Sequence, residues 1–182
     1  MPRLLLLDDE PHVLAALKRT LRLGFGTELH IESTTDPRIA LRRVAEAAFD
    51  LVVSDYRMPS MNGIEFLQRV RALQPHTVRI ILSASSEVRT VMLAVNAVEV
   101  FRYLAKPWSD DELVVQVRQA LRHAEQSRHD RELADAMKVQ RGESTAAAAE
   151  RRRLETIEPG ITHVEWGPQG EVLMPDLADT IH

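Results

Sequence analysis

Short apolar runs alternating with helical patterns constrain this chain more than any other feature. Arg3-Leu-Leu-Leu-Leu7 is continuous, as in a strand buried on both faces, and Asp50-Leu-Val-Val-Ser54, Val78–Leu82 and Val100–Leu104 repeat the pattern. Leu29–Glu32 adds a short second strand. Between them the apolar positions fall at helical spacing. Pro11 opens a first helix facing inward with Val13, Leu14, Leu17 and Leu21 and stopped by Gly24-Phe-Gly26. Pro37 opens a second, with Ala40, Leu41, Val44 and Ala48 inward; Ile64, Leu67, Val70 and Leu73 mark a third. Val88, Val91, Met92 and Val95 mark a fourth, and Leu113, Val117 and Leu121 a fifth, which Ser109 and Glu112 open as a capping box. Five strands alternating with five helices predict an α/β fold: a doubly wound, five-stranded parallel sheet covered on both faces.

The length of 182 residues exceeds one domain of about 100–150 residues, so something is left over. The chain divides into three parts: a domain over 1–121, a helical extension over 122–158 and an acidic tail over 159–182. Residues 1–121 carry 15 basic and 15 acidic side chains, and residues 122–158 carry 8 of each. The tail carries four acidic residues and no basic one, and so holds the whole net charge of −4. No part is basic, which argues against a nucleic-acid partner. The absence of cysteine excludes disulfides, a thiolate metal site and a cysteine nucleophile. Leu4–Leu7 is too short for a secretion signal or a membrane span, so the expectation is a cytoplasmic protein without a membrane partner.

Open parallel sheets carry their sites at the carboxyl ends of the strands. There the first strand ends in Asp8, Asp9 and Glu10, the third in Asp55 and the fourth in Ser83, and Lys106-Pro107 follows the fifth. Singly, each is an ordinary cap, turn or surface residue; together they converge. Gathered carboxylates repel unless a cation lies between them, and oxygen donors with retained water suit Mg²⁺. A phosphoryl group arriving on one carboxylate would have its charge spread over a metal, an ammonium and a hydroxyl.

The stretches Leu-Leu-Leu-Leu-Asp8-Asp9-Glu10-Pro11, Leu-Val-Val-Ser-Asp55-Tyr-Arg-Met-Pro59 with Met61-Asn-Gly63, Ile-Leu-Ser83-Ala84 and Phe101-Arg-Tyr103-Leu-Ala-Lys106-Pro107-Trp108 together resemble the receiver domain of bacterial two-component response regulators, a CheY-like, flavodoxin-like fold. The resemblance spans residues 1–121. It implies that Asp55 accepts a phosphoryl group from a sensor histidine kinase or a histidine phosphotransfer protein. It implies that Asp9 and Asp55 bind Mg²⁺ directly, Asp8 through water, and Arg57 through its main-chain carbonyl. Ser83 and Tyr103 would be the switch pair, Lys106 would contact the phosphoryl oxygens, and the Lys106–Pro107 bond would be cis. Asn62 stands where the family often has Asp, and Ser83 where Thr is commoner. Arg57 and Ser85 would flank the pocket entrance and tune loss of the phosphoryl group. The signal would be a population shift on the face formed by the fourth helix, fifth strand and fifth helix.

Beyond residue 121 the composition predicts helix, broken near Gly142-Glu-Ser-Thr145, with no sustained heptad. Residues 161–174 read as strand, turn and strand, a small β-hairpin that needs something to pack on. Arg151-Arg-Arg153 reads as a solvated helix face beside Glu150 and Glu155, and the segment makes a poor helix-turn-helix. Receivers with a Tyr-Leu-Ala-Lys-Pro-Trp-like stretch resemble those placed before cyclic-di-GMP phosphodiesterase domains, but His129-Asp130 has no further ligands near it in sequence, and His123 shares no helix face with His129. The remaining histidines, His12, His30, His76, His163 and His182, do not cluster. A haloacid-dehalogenase-type phosphatase would need an acid two residues after its nucleophile, where this chain has Arg57. The expectation is therefore a phosphoacceptor without a separate catalytic domain, signalling to a downstream protein or through a homodimer. The alternative is a scaffold that works regardless of phosphorylation.

Overall fold

The computed structural model describes residues 1–84, 99–141 and 145–158, together with two short strands in the tail. The predicted fourth helix around Val88–Val95, Ser85 and most of the tail lie outside the described residues. In chain order the elements are β1 (Arg3–Leu7), α1 (Pro11–Phe25), β2 (His30–Thr34), α2 (Pro37–Glu46), β3 (Leu51–Asp55), α3 (Gly63–Leu73), β4 (Val78–Ala84) and β5 (Arg102–Lys106). Then come α4 (Asp110–Gln140), α5 (Ala146–Ile157), β6 (Glu165–Trp166) and β7 (Val172–Leu173).

β1 to β5 form one parallel sheet in the order β2-β1-β3-β4-β5. The order reverses at β1, so the switch point lies between β1 and β3, where such sheets place their ligands. Period-two alternation divides the core between the two faces. Leu4, Leu6, Leu51, Val53, Ile80 and Leu82 pack under α1 and α4 against Leu14, Leu17, Leu21, Leu113 and Val117. Leu5, Leu7, Val52 and Ile81 point to the other face and meet Ala40, Val44, Ile64, Leu67 and Val70 of α2 and α3.

Each helix starts where its sequence supplies a cap. Pro11 opens α1, which ends at Gly26, whose φ of 56° suits a glycine. Asp36, Asn62, Ser109 and Thr145 each accept a backbone N–H from the first turn of α2, α3, α4 and α5. The Ser109 hydroxyl takes the Glu112 N–H at 3.1 Å, one half of the expected capping box.

Several boundaries differ from expectation. β2 begins one residue later and runs to Thr34, and β5 covers Arg102–Lys106 instead of Val100–Leu104. Lys106 thus ends the strand, which fixes its backbone as part of the ladder with Ala84. α1 continues through Gly24, which sits so close to α4 that a Cβ there would meet the Val114 side chain at 2.6 Å. Leu73 is exposed, because α3 has already turned its last apolar position away from the sheet, and Ala48 lies beyond the end of α2.

α4 runs unbroken for 31 residues, about 46 Å, so its second half projects past the amino-terminal ends of the strands. It is tied there by Arg128, whose guanidinium donates to Asp50 Oδ1 at 2.9 Å just before β3, and by His123, stacked 5.0 Å from Phe101 just before β5. α5 follows as a separate helix after residues 141–145. Its Arg152 pairs with Asp135 of α4 at 3.1 Å. In the tail, β6 and β7 pair antiparallel, with Glu165 opposite Leu173, as the hairpin reading requires.

Candidate functional site

β1 and β3 bring Asp8 and Asp55 side by side at the switch point. Both are buried, Asp8 completely and Asp55 to within 4% exposure. Each carboxylate closes a local turn on a backbone N–H two residues ahead. Asp8 Oδ1 accepts from Glu10 at 3.0 Å, and Asp55 Oδ2 accepts from Arg57 at 2.7 Å. The opposite oxygens converge on one ammonium group. Lys106, reaching from the end of β5, donates to Asp8 Oδ2 at 2.7 Å and pairs with Asp55 Oδ1.

One ammonium therefore serves two buried carboxylates. Burial pulls the Lys106 ammonium down, but hydrogen bonds to Asp55 and Asp8 outweigh it and hold the group above the usual lysine range. Burial raises the Asp55 carboxyl above the ordinary aspartate range, opposed by Lys106 and assisted by the negative charge of Asp8. The two directions are compatible because Lys106 is doubly partnered while Asp55 has only a share of it.

Asp9 is half-buried beside this pair, and Ser83 is buried at the end of β4. Tyr103, half-buried against the α2–α3 side of the core, donates its hydroxyl into the Ser83 and Ala84 carbonyls, each 3.1 Å away. Glu10 turns outward: its carboxylate is exposed and lies 3.2 Å from His12 Nε2. The Lys106–Pro107 peptide bond is cis. Asp8, Asp55 and Lys106 thus meet directly; Asp9 adjoins Asp8 in the chain, Ser83 and Tyr103 lie on the neighbouring strands β4 and β5, and Glu10 turns away.

Two contributors are less visible in sequence. Gly63 passes so close to β3 that a Cβ would lie 2.1 Å from the Asp55 carbonyl oxygen, while its N–H donates to the Tyr56 carbonyl at 2.8 Å. The Ser54 hydroxyl donates to that same Asp55 carbonyl at 2.9 Å. The signal for the first is a glycine directly after a good cap, Asn62; nothing in the sequence marks the second.

The donors present fit a hard divalent cation. Asp8, Asp9 and Asp55 supply only oxygen, and three carboxylates exceed the single positive charge of Lys106. Among the described residues no three acidic or imidazole groups are already drawn together as a cage, and Lys106 bridges Asp8 and Asp55.

Residues 4–118 match the response regulator receiver domain family, and the chain belongs to it. It is 36% identical over 117 residues to the hydrogenase transcriptional regulatory protein HoxA of Cupriavidus necator, a match covering 64% of this chain and 23% of that protein. It is 37% identical over 123 residues to the transcriptional regulatory protein PrrA of Mycobacterium leprae, covering 66% of this chain and 50% of the relative. The chain thus spans between about a quarter and a half of these relatives. Among solved structures it resembles the signal receiver domain of an HD domain-containing protein from Pseudomonas fluorescens Pf-5. That match has a TM-score of 0.65 at 34% identity and covers 70% of this chain and 92% of the other. As a receiver domain of two-component systems it falls in a family that is generally not enzymatic. No helix among the described residues is long and apolar enough to cross a membrane.

Proposed function

We propose that this chain is a phosphorylation-dependent response regulator in which Asp55 accepts a phosphoryl group from the phosphohistidine of a sensor kinase or phosphotransfer protein. The supporting observation is the bridge from Lys106 to both Asp8 and Asp55 at the switch point of the sheet. In the transfer, an Asp55 carboxylate oxygen attacks phosphorus as the P–N bond to the donor histidine breaks, and the histidine leaves with the bonding pair. Asp55 Oδ2 is oriented by the Arg57 N–H. Its other oxygen lies on Lys106, so the ammonium is already near the place where new negative charge develops.

Mg²⁺ would be held by Asp9 and Asp55 directly, Asp8 through water and the Arg57 main-chain carbonyl, and when bound it neutralises charge on the phosphoryl oxygens. Lys106 transfers its bonds from Asp55 to the phosphoryl group, and the Ser83 hydroxyl donates to the same oxygens. Tyr103 reads that change, because its hydroxyl is bonded to the Ser83 and Ala84 carbonyls. The phosphorylated arrangement then shifts a pre-existing equilibrium.

In the proposed organisation the receiver occupies 1–121, residues 122–158 transmit its state, and 159–182 form an acidic tail; the output is self-association or a downstream protein, in the cytoplasm. HoxA and PrrA are transcriptional regulators, yet each matches only about two thirds of this chain and half or less of its own length, so their outputs stay with them. The test is labelling by acetyl phosphate with Mg²⁺. Wild type is expected to incorporate an acid-stable, base-labile phosphoryl group, and Asp55→Asn or chelation of Mg²⁺ to abolish it. Undiminished labelling of the variant overturns the assignment.

A further inference from the structure

α1 turns one polar side chain into the core. Its buried positions are Leu14, Leu17, Thr20, Leu21 and Phe25, and Thr20 is only 2% exposed. A hydroxyl withdrawn from water needs a partner. Thr20 finds it 90 positions away, donating from Oγ1 to Asp110 Oδ1 at 2.7 Å. The acceptor is a carboxylate in the first turn of α4, so the bond is charge-assisted.

Both residues are tied by the chain to the phosphoacceptor site. Asp110 stands four residues after Lys106, and Thr20 lies on the helix that follows Asp8 and Asp9. Two cross-links therefore join the same two stretches of chain: Lys106 to Asp8 and Asp110 to Thr20. Only Pro107, Trp108 and Ser109 lie between Lys106 and Asp110. Trp108 packs against the α1–α4 side of the core, and Ser109 caps α4. On its other side, Lys106 is held in the ladder opposite Ala84. A lysine ammonium rides on a flexible four-carbon stem, so its reach is set by where the backbone is held. An ammonium that bonds Asp8 and Asp55 together tolerates little displacement of that base. Farther along, Gly24 lies against Val114, and its carbonyl accepts from Arg118 at 3.1 Å. α1 and α4 are thus joined there without Thr20, which leaves the Thr20–Asp110 bond to fix the end of α4 nearest Lys106.

We propose that Thr20 and Asp110 are positioning residues for phosphoryl transfer, whose bond holds the base from which Lys106 reaches the phosphoryl group. This role rests on Asp55 as the phosphoacceptor and adds two residues that touch neither the phosphoryl group nor a metal. Without the bond, the Pro107–Ser109 connection shifts and the ammonium is shared among Asp8, Asp55 and water.

The test uses the full chain. Thr20→Val keeps the branched shape and removes the hydroxyl, and the exposed Asp110 is then solvated, so the fold is retained. The chain has three lysines, Lys18, Lys106 and Lys138, which makes the ¹³C-lysine spectrum simple to assign. The two ε-methylene protons of a side chain held in one rotamer have separate shifts, and those of a freely turning one merge. Separate shifts are expected for Lys106 in the wild type and in Thr20→Ser, and merged shifts in Thr20→Val and Asp110→Ala. The limiting rate of acetyl phosphate labelling should fall about tenfold in the same two variants, at an unchanged half-saturating Mg²⁺ concentration. In the Lys106→Met background, Thr20→Val should slow labelling no further, because the group it positions is gone. Merged shifts in the wild type, or separate ones in Thr20→Val, would overturn the positioning of Lys106. Merged shifts with labelling at the wild-type rate would overturn its part in phosphoryl transfer. Slowing by Thr20→Val that persists in full in Lys106→Met would assign Thr20 to helix packing alone and overturn the proposal. The lysine spectrum requires no phosphoryl transfer, so failure here is separate from failure of the Asp55 assignment, which undiminished labelling of Asp55→Asn reports.

Discussion

Lys106 and Asp8 lie 98 positions apart in the chain, and their charged groups stand 2.7 Å apart, with the same ammonium paired to Asp55. That single cation holds two buried carboxylates together, which makes it the electrostatic keystone of the site. Lys106→Met should therefore destabilise the protein, because two negative charges are left buried side by side. Losing one partner of a buried pair costs about 3–5 kcal/mol, and the partial exposure of Lys106 places this case near the lower end, roughly 3 kcal/mol. The wild-type contribution of Lys106 is raised in the folded state, so it is whole at neutral pH and fades only in alkali as pH climbs through its elevated folded value. The variant's deficit should shrink as pH falls and the two carboxylates protonate. Urea unfolding of both proteins at neutral and acidic pH checks this; a deficit independent of pH would contradict it.

Asp55→Asn should act in the opposite direction on stability while abolishing phosphoryl transfer. Burial raises the Asp55 carboxyl, so the protonated form is the one folding favours. Its favourable contribution is present below the ordinary aspartate range and is lost as pH rises through the elevated folded value. At neutral pH the ionised group is a net burden, which a neutral amide of the same shape removes, while Lys106 keeps Asp8. The thermal midpoint should rise by several degrees at pH 7, and the gain should narrow toward acid. A midpoint below wild type at pH 7 would show that the Lys106 pair outweighs burial.

How far the sequence reaches is clearest at particular residues. The alternation of Leu4 with Leu5 and of Val52 with Val53 between the two core faces follows directly from the apolar runs, and the parallel, doubly wound sheet follows from strands alternating with helices, while the strand order comes from the structure. Asp8, Asp55 and Lys106 are legible because each ends a strand and the strands run parallel. What the sequence conceals is contact. Charge and strand-end position alone do not distinguish Glu10, which turns out toward His12, from Asp9, which stays half-buried; only the family resemblance separates them. Nor can periodicity show that Leu73 faces solvent, since one further residue of rotation along α3 decides it. The apolar pattern sets β5 two residues too early because Val100 and Phe101 look like strand, whereas the ladder with β4 begins at Arg102.

Gly63→Ala should damage both fold and site. The added methyl would lie 2.1 Å from the Asp55 carbonyl oxygen, a backbone atom that cannot turn away. Either α3 or the end of β3 must move, at a cost of roughly 3 kcal/mol by analogy with overpacked cores. Because the displaced atom belongs to Asp55, acetyl phosphate labelling should slow in parallel. Unfolding curves and labelling rates on the same preparation check the pair; an unaltered labelling rate in a destabilised variant would show that α3 yields instead of β3.

Gln74 offers a prediction at the opposite end of the sheet. It is buried at the end of α3, and its amide is fully used. The Nε2 group donates to the Val44 and Ala47 carbonyls at the end of α2, while Oε1 accepts from the Phe49 N–H and the Thr77 hydroxyl. One side chain thereby joins α2, α3 and the turns that enter β3 and β4. Gln74→Leu keeps the volume but strips all four bonds, leaving the buried Phe49 N–H without its acceptor. An unsatisfied buried group costs about 1–3 kcal/mol, and water can reach some of the freed carbonyls, so a total near 3 kcal/mol is expected. Amide exchange locates the effect: Phe49 should lose its protection, while residues around Asp8 and Asp55 keep theirs. Because the change lies far from Lys106, phosphoryl labelling of the folded fraction should stay at the wild-type rate, in contrast to Gly63→Ala.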